Sequence, residues 1–171
     1  MNGIINVYKE KGFTSHDVVA KLRGILHMKK IGHTGTLDPD ATGVLPVCIG
    51  KATKVCGLLT DKDKTYRAVV KLGVITNTED MTGEILAKHP VSVTKEQIEW
   101  AVSKFVGEIE QVPPMYSAIK INGKKLYELA RQGKEVERKA RKVTIYGIKV
   151  LSIDFSENEF TIEVSCSKGT Y

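Results

Sequence analysis

Residues 143–167, VTIYGIKVLSIDFSENEFTIEVSCS, read as two strands folded back on one another. β-Branched and aromatic residues fill Val143–Asp154 and Glu159–Ser167, and the polar Ser156-Glu157-Asn158 between them is a turn. Two strands joined by so short a turn run antiparallel, because a parallel pair needs a crossover of a dozen or more residues.

The same signals recur upstream. Asn122-Gly123 is a tight-turn pair after an extended stretch, Met115–Ile121. A short helix over Leu126–Gln132 follows, closed by Gly133, and Pro113-Pro114 breaks the chain ahead of it. Thr94 with Gln97 is a capping box before Ile98, Ala101, Val102 and Phe105 at helical spacing, and Gly107 ends that helix. Tyr66, Ala68, Val70 and Leu72 alternate with Arg67, Val69 and Lys71, the period of a strand.

At the start, residues 2–8 form a strand. Thr14 and Asp17 open a helix from about Ser15 to Met28, with Val18, Val19, Leu22, Ile25 and Leu26 on one face. Gly32–Gly50 is loop with at most a short strand near Leu45–Ile49, and Ala52–Thr60 is a second, shorter helix. Strands and helices mix without βαβ alternation, so the class is α+β, with a mixed, largely antiparallel sheet flanked by helices.

The 171 residues suffice for one domain with a real core, and 42% hydrophobic with 27% charged residues is the balance of a soluble globular chain. No apolar run approaches the ~20 residues that span a bilayer, and the first residues lack a secretory apolar block. Cys48, Cys56 and Cys166 are odd in number and show no CxxC spacing, which points to a reducing cytoplasm without disulfides or a zinc site. Nothing signals an oligomer or a protein partner, so a monomer is expected.

The formal charge of +6 is concentrated. Between Lys120 and Lys149 ten basic residues face three acidic ones, and the rest of the chain is near neutral. A field so localised suits a polyanion such as nucleic acid, although a solvated face carries the same composition.

The least regular stretch is Gly32–Lys54, GHTGTLDPDATGVLPVCIGKATK. A phosphate-binding P-loop needs Gly, four residues, then Gly-Lys-Ser/Thr; around Gly50-Lys51 the first position is Leu45 and the last is Ala52, so that pattern fails. His27 and His33 lack metal-ligand spacing, and no G-x-S-x-G elbow presents a serine. Asp38, in Thr-Leu-Asp-Pro, remains: a carboxylate aimed at a substrate, or simply the start of a turn. Asp40 at i+2 leaves a glycosidase-like carboxylate pair open without fixing its separation.

This stretch closely resembles the catalytic loop of the TruB family of tRNA pseudouridine synthases. KGFTSHD near the start, KTYRAVVKLG around Tyr66, QVPPMYSAIKINGKKLYELARQG in the basic segment and CSKGTY at the end extend the resemblance in family order across nearly the whole chain. The resemblance implies the pseudouridine synthase fold and an isomerase that converts uridine 55 in the T-loop of tRNA to pseudouridine. It implies no cofactor and no metal, and Asp38 as the catalytic aspartate. Tyr66 corresponds to the family tyrosine that stacks on the target base, Tyr171 to another substrate contact, and His33 to the histidine filling the space that the flipped uridine leaves. Lys9 matches a lysine near the site and is expected to contact the substrate, although the family's Lys-Pro is Lys9-Glu10 here.

Residues 113–142 correspond to a thumb-like RNA-binding insertion, with Lys124, Lys125, Arg131, Arg138, Lys139, Arg141 and Lys142 expected on the RNA backbone. The family also carries an arginine just after CSKGTY and a small C-terminal RNA-binding domain. The chain is therefore expected to be a catalytic domain cut at Tyr171. The alternative is a catalytically weak tRNA-binding or chaperone module.

Overall fold

A computed structural model describes residues 1–171, which form two compact units, Met1–Lys62 and Asp63–Tyr171. The first unit holds strand β1 (Gly3–Lys9), helix α1 (Ser15–Leu26), strands β2 (Ile31–His33) and β3 (Gly43–Ile49), a 3-10 turn over Gly50–Val55, and helix α2 (Cys56–Thr60). The strands make one antiparallel sheet in the order β1-β3-β2. Its core is Val18 and Val19 of α1 against Ile31, Leu45, Val47 and Ile49, with Leu22, Leu26 and Met28 packed at the edge. Ile25, expected on this face, is exposed: the buried stripe runs through positions 18, 19, 22 and 26.

Helix α1 starts as its sequence dictates. The Thr14 hydroxyl accepts from the Asp17 N–H (3.0 Å), and the Asp17 carboxylate accepts from the Thr14 N–H (2.8 Å), satisfying two donors that a helix end leaves open. Its last residue is Leu26, two short of the expected boundary, and the cap His27 is in the left-handed conformation (φ 50).

Strand β3 runs through Pro46 in the middle of its sheet, a position a central strand normally refuses. The reason is local. Pro46 falls just past the last β2–β3 pair, His33 with Val47, at the end of that ladder, where its missing N–H costs a single bond. The Pro46 carbonyl is still used, accepting from the Thr34 N–H (3.1 Å) and hydroxyl (3.2 Å).

The second unit is built on a four-stranded antiparallel sheet, β4 (Lys64–Lys71), β11 (Glu159–Cys166), β10 (Arg141–Asp154) and β7 (Gly107–Gln111), paired in that order. Hairpins β5–β6 (Val74–Thr76, Ile85–Lys88) and β8–β9 (Lys120–Ile121, Lys124–Lys125) and helices α3 (Lys95–Ser103) and α4 (Leu126–Ala130) complete it. Val143, Ile145, Phe160 and Cys166 are buried in the sheet, and Ile98 in α3. The β10–β11 turn is set by Asp154, whose carboxylate accepts from the Ser156 and Glu157 N–H groups, with Asn158 left-handed (φ 53). Every ladder in both units is antiparallel, and the α+β class holds.

Candidate active site and nucleic-acid interface

The Asp38 loop is irregular but tied down on both sides of the aspartate. Before it, the buried Ser15 hydroxyl, at the first turn of α1, accepts from the Leu37 N–H (2.9 Å) and donates to the Leu37 carbonyl (3.4 Å). After it, the Pro39 carbonyl accepts from the Gly12 N–H (2.8 Å) and from the Lys9 ammonium (3.3 Å). The Asp38 carbonyl accepts from Ala41 N–H (3.1 Å), closing a turn with Pro39 at its preferred second position.

Lys9 is fully buried, and its ammonium also donates to the carbonyls of Phe13 (2.7 Å) and Glu10 (3.1 Å). Three carbonyl dipoles thus solvate a charge that burial would otherwise penalise heavily. This places Lys9 beneath the loop. It holds Pro39 and has no donor left for a substrate, so the expectation of a substrate contact is corrected to positioning.

The loop's backbone is fixed while the Asp38 side chain is exposed and unpaired within the chain. Asp40 pairs with Lys11 (3.5 Å) at the surface, which leaves little for a two-carboxylate site. His33, at the end of β2, donates from Nδ1 to the Gly35 carbonyl (2.6 Å). That bond fixes the orientation of the ring.

In the second unit, Tyr66 stands on β4 opposite Val164, 38% exposed. Tyr171 is bound by a side-chain amide: Gln111 Nε2 donates to its carbonyl (2.6 Å) and Gln111 Oε1 accepts from its N–H (2.9 Å). Its ring is exposed.

No group of three His, Cys, Asp or Glu residues is arranged to hold a metal. Burial, with a contribution from Cys56, pushes the Cys48 thiol up to about 11, away from the thiolate that a metal or an electrophile would require.

The basic segment sorts its cations into three groups. Lys124, Lys139 and Arg141 are exposed and have no partner in the chain. Lys125 and Arg131 lie over the Tyr127 ring, 5.2 and 5.3 Å from its centre, and a hydrogen bond from Lys125 to the Tyr127 hydroxyl raises the ammonium above its ordinary value. Arg138 and Lys142 are already paired with carboxylates, Glu135 (3.3 Å) and Glu108 (2.8 Å), and the latter pair raises the Lys142 ammonium. Arg138 is also largely buried, with only 19% of its side chain exposed. Arg141 and Lys142 belong to β10, opposite Gln111 and Glu110, so the irregular part of the segment ends before them.

Sequence reasoning passed over Ser15, Thr34 and Gln111. Ser15 did leave a trace: Thr14 alone caps the helix, so a second hydroxyl directly after it was free for another task.

The chain thus carries a loop pinned on both flanks of an unpaired aspartate and, separately, a segment rich in exposed cations. The chain belongs to the TruB family of pseudouridylate synthases, matching that family's N-terminal domain over residues 23–171. It is 64% identical over 177 residues to tRNA pseudouridine synthase B of Lachnoclostridium phytofermentans and 59% identical over 171 residues to that of Alkaliphilus oremlandii. Both alignments cover the whole chain but only 58% and 56% of the relatives, so the chain spans little more than half their length. Among solved structures, one in a Cbf5–Nop10–Gar1 complex is similar at a TM-score of 0.74 and 34% identity, covering 99% of this chain and 40% of the other. One in an H/ACA RNP bound to a substrate RNA containing 2′-deoxyuridine is similar at 0.69 and 30%, covering 99% and 39%.

Proposed function

We propose that the chain is the catalytic part of an enzyme that isomerises uridine to pseudouridine in the T-loop of tRNA, with Asp38 as the catalytic carboxylate. The observation that carries this is the double clamp, Ser15 on Leu37 and Lys9 with Gly12 on Pro39, around a carboxylate that no group in the chain neutralises. The identity with proteins named tRNA pseudouridine synthase B supports it.

The reaction breaks the bond from ribose C1′ to uracil N1 and forms one from C1′ to C5. C5 loses a proton and N1 gains one, so the atoms balance without a second substrate. Asp38 in its ionised form attacks C1′ or C6, or takes a ribose proton on the way to a glycal; all three routes need the same fixed, charged oxygen. A uridine within a folded loop must leave its stack to reach that oxygen. His33, oriented by Gly35, is the flat group that fills the gap, and the exposed rings of Tyr66 and Tyr171 are candidates to stack on the everted base. Lys124, Lys139 and Arg141 meet backbone phosphates, which set position more than sequence.

The test is tritium release from a T-loop hairpin labelled at C5 of its uridine. The wild-type chain should release tritium, and Asp38→Asn should abolish release while binding the hairpin within about twofold of wild type. Release that persists in Asp38→Asn removes the aspartate from its role. Binding without any release by the wild-type chain favours the alternative, a binding module.

A further inference from the structure

The first unit holds an open concavity of about 520 Å³, and of the residues lining it the proposed chemistry uses His33 alone. Its walls are the outer turns of α1, the Lys29-Lys30 connection and β2, and its lining includes His16, Arg23, Lys29, Lys30 and His33. No aspartate or glutamate lines it. None of Arg23, Lys29 or Lys30 has a carboxylate partner elsewhere, whereas cations such as Lys11, Arg67 and Lys95 each pair with one. Arg23 is nevertheless held: one Nη2 hydrogen goes to the Ile31 carbonyl (3.2 Å). That bond orients the guanidinium and leaves most of its five N–H donors free for a planar, bidentate acceptor.

We propose that this concavity binds a phosphodiester group of the RNA backbone, with Arg23 and Lys30 as its principal contacts. The inference rests on the RNA reading above and extends it to a second anchor outside the basic segment. A shallow, acid-free bowl carrying three unneutralised cations has no internal use for that charge, and a phosphate supplies the missing anion. Its placement has a consequence. His33 lines the concavity and also leads directly into the loop that carries Asp38, so a phosphate seated there fixes the strand beside the group that is to replace the flipped base.

The experiment measures binding of the T-loop hairpin to the whole chain across a salt series, for wild type, Arg23→Gln/Lys30→Gln and Lys29→Gln/Lys30→Gln. The third protein leaves the Arg23–Ile31 bond intact, so a general loss of structure in the second is recognised. The first double variant should bind about tenfold more weakly near 0.1 M salt, with the slope of log K against log salt reduced by about 1 to 2. A second arm replaces single linkages of the hairpin by neutral methylphosphonates. One linkage should weaken wild-type binding and have no effect on Arg23→Gln/Lys30→Gln, which marks a backbone phosphate as the occupant. Unchanged affinity and slope in both variants, with hairpin binding intact, overturns the site alone. No linkage showing this non-additivity means a free anion or diffuse charge, and also overturns it. A wild-type chain that binds the T-loop hairpin no better than a scrambled one overturns the RNA reading itself.

Discussion

The loop from Gly35 to Thr42 and the basic segment from Pro113 to Lys142 are both poor in regular structure, and they are held in different ways. The loop is fastened through its backbone. The Leu37 N–H donates to the Ser15 hydroxyl and the Pro39 carbonyl accepts from the Lys9 ammonium, both partners buried in the first unit, and Thr34 just ahead of the loop donates to the Pro46 carbonyl. In the basic segment the fastening is at α4, whose Leu126 and Tyr127 N–H groups bond to the Ile119 and Ser117 carbonyls and whose leucines, Leu126 and Leu129, are buried. Around it stand a two-residue hairpin and the stretch 134–140, which has no secondary structure. Hydrogen bonds to the backbone on either side of a residue fix where its side chain starts. Two buried leucines fix a helix and leave the lysines around it free to move on long stems. A group that must meet a reacting atom needs the first arrangement. A group that must meet any of several phosphates is served by the second.

Breaking the loop's strongest fastening should have the largest effect. Lys9→Met keeps the volume and removes the ammonium, leaving the carbonyls of Glu10 and Phe13 without it and Pro39 with Gly12 alone. The loss should be about 2–3 kcal/mol of stability in the first unit by denaturant titration. Tritium release should fall about 100-fold as Asp38 loses its position. A Lys9→Met protein matching wild type on both counts would show that the loop is not held this way.

The basic segment should respond in affinity and not in turnover. Replacing Lys124, Lys139 and Arg141 by Gln should weaken hairpin binding about 10- to 30-fold at about 0.1 M salt and reduce the salt slope by about 2. Replacing Arg138 and Lys142, already paired with Glu135 and Glu108, should change affinity less than about threefold. An equal response from both sets would mean that exposure and pairing do not decide which cations meet the RNA.

The third effect is smaller and returns to the loop. Ser15→Ala removes both bonds to Leu37 and should cost about 1 kcal/mol and about tenfold in release rate, with hairpin affinity unchanged. A fall in affinity instead would place Ser15 among the RNA contacts.

How much of this is legible in the sequence follows from the same contrast. Local patterns are readable: the capping boxes at Thr14 and Thr94, the Asn122-Gly123 turn with both residues left-handed (φ 50 and 81), and the β10–β11 hairpin. Gly133 closes α4 as expected, its N–H bonded to the Ala130 carbonyl. Strand β3 reads short, near Leu45–Ile49, because the residues before it carry no strand period, and only the tertiary pairing with β1 extends it back to Gly43. Strands β5, β6 and β7 leave no readable signal, since three to five residues hold too little of a period to register. At the site, the residue types are visible and the fastening is not. Leu37 and Ser15 are 22 positions apart, Pro39 and Lys9 are 30 apart, and nothing in a local window links them.

The smallest effect concerns acid. Helix α1 carries Ser15, so its cap supports the loop, and that cap titrates. Hydrogen bonds from the Thr14 hydroxyl and N–H lower the Asp17 carboxyl below its ordinary 3.8, with His16 adding a lesser pull. A carboxyl held lower in the folded state stabilises that state above the unfolded value, and the contribution disappears as pH falls through the folded one. The matching cap of α3 uses Gln97, which does not titrate; beside it Glu96, lowered from 4.5 by backbone and Thr94 hydrogen bonds, does. In a Glu96→Gln background α3 therefore becomes a reference without a carboxylate in its cap. Hydrogen exchange of the Val18 and Ile98 amides, each bonded to its N-cap carbonyl, reads the two caps within one molecule. Below pH 3.8 protection at Val18 should fall relative to Ile98, and Asp17→Asn should remove that difference in pH dependence. If the two amides lose protection in parallel down to about pH 2.5, the Thr14–Asp17 cap does not govern the end of the helix that holds Leu37.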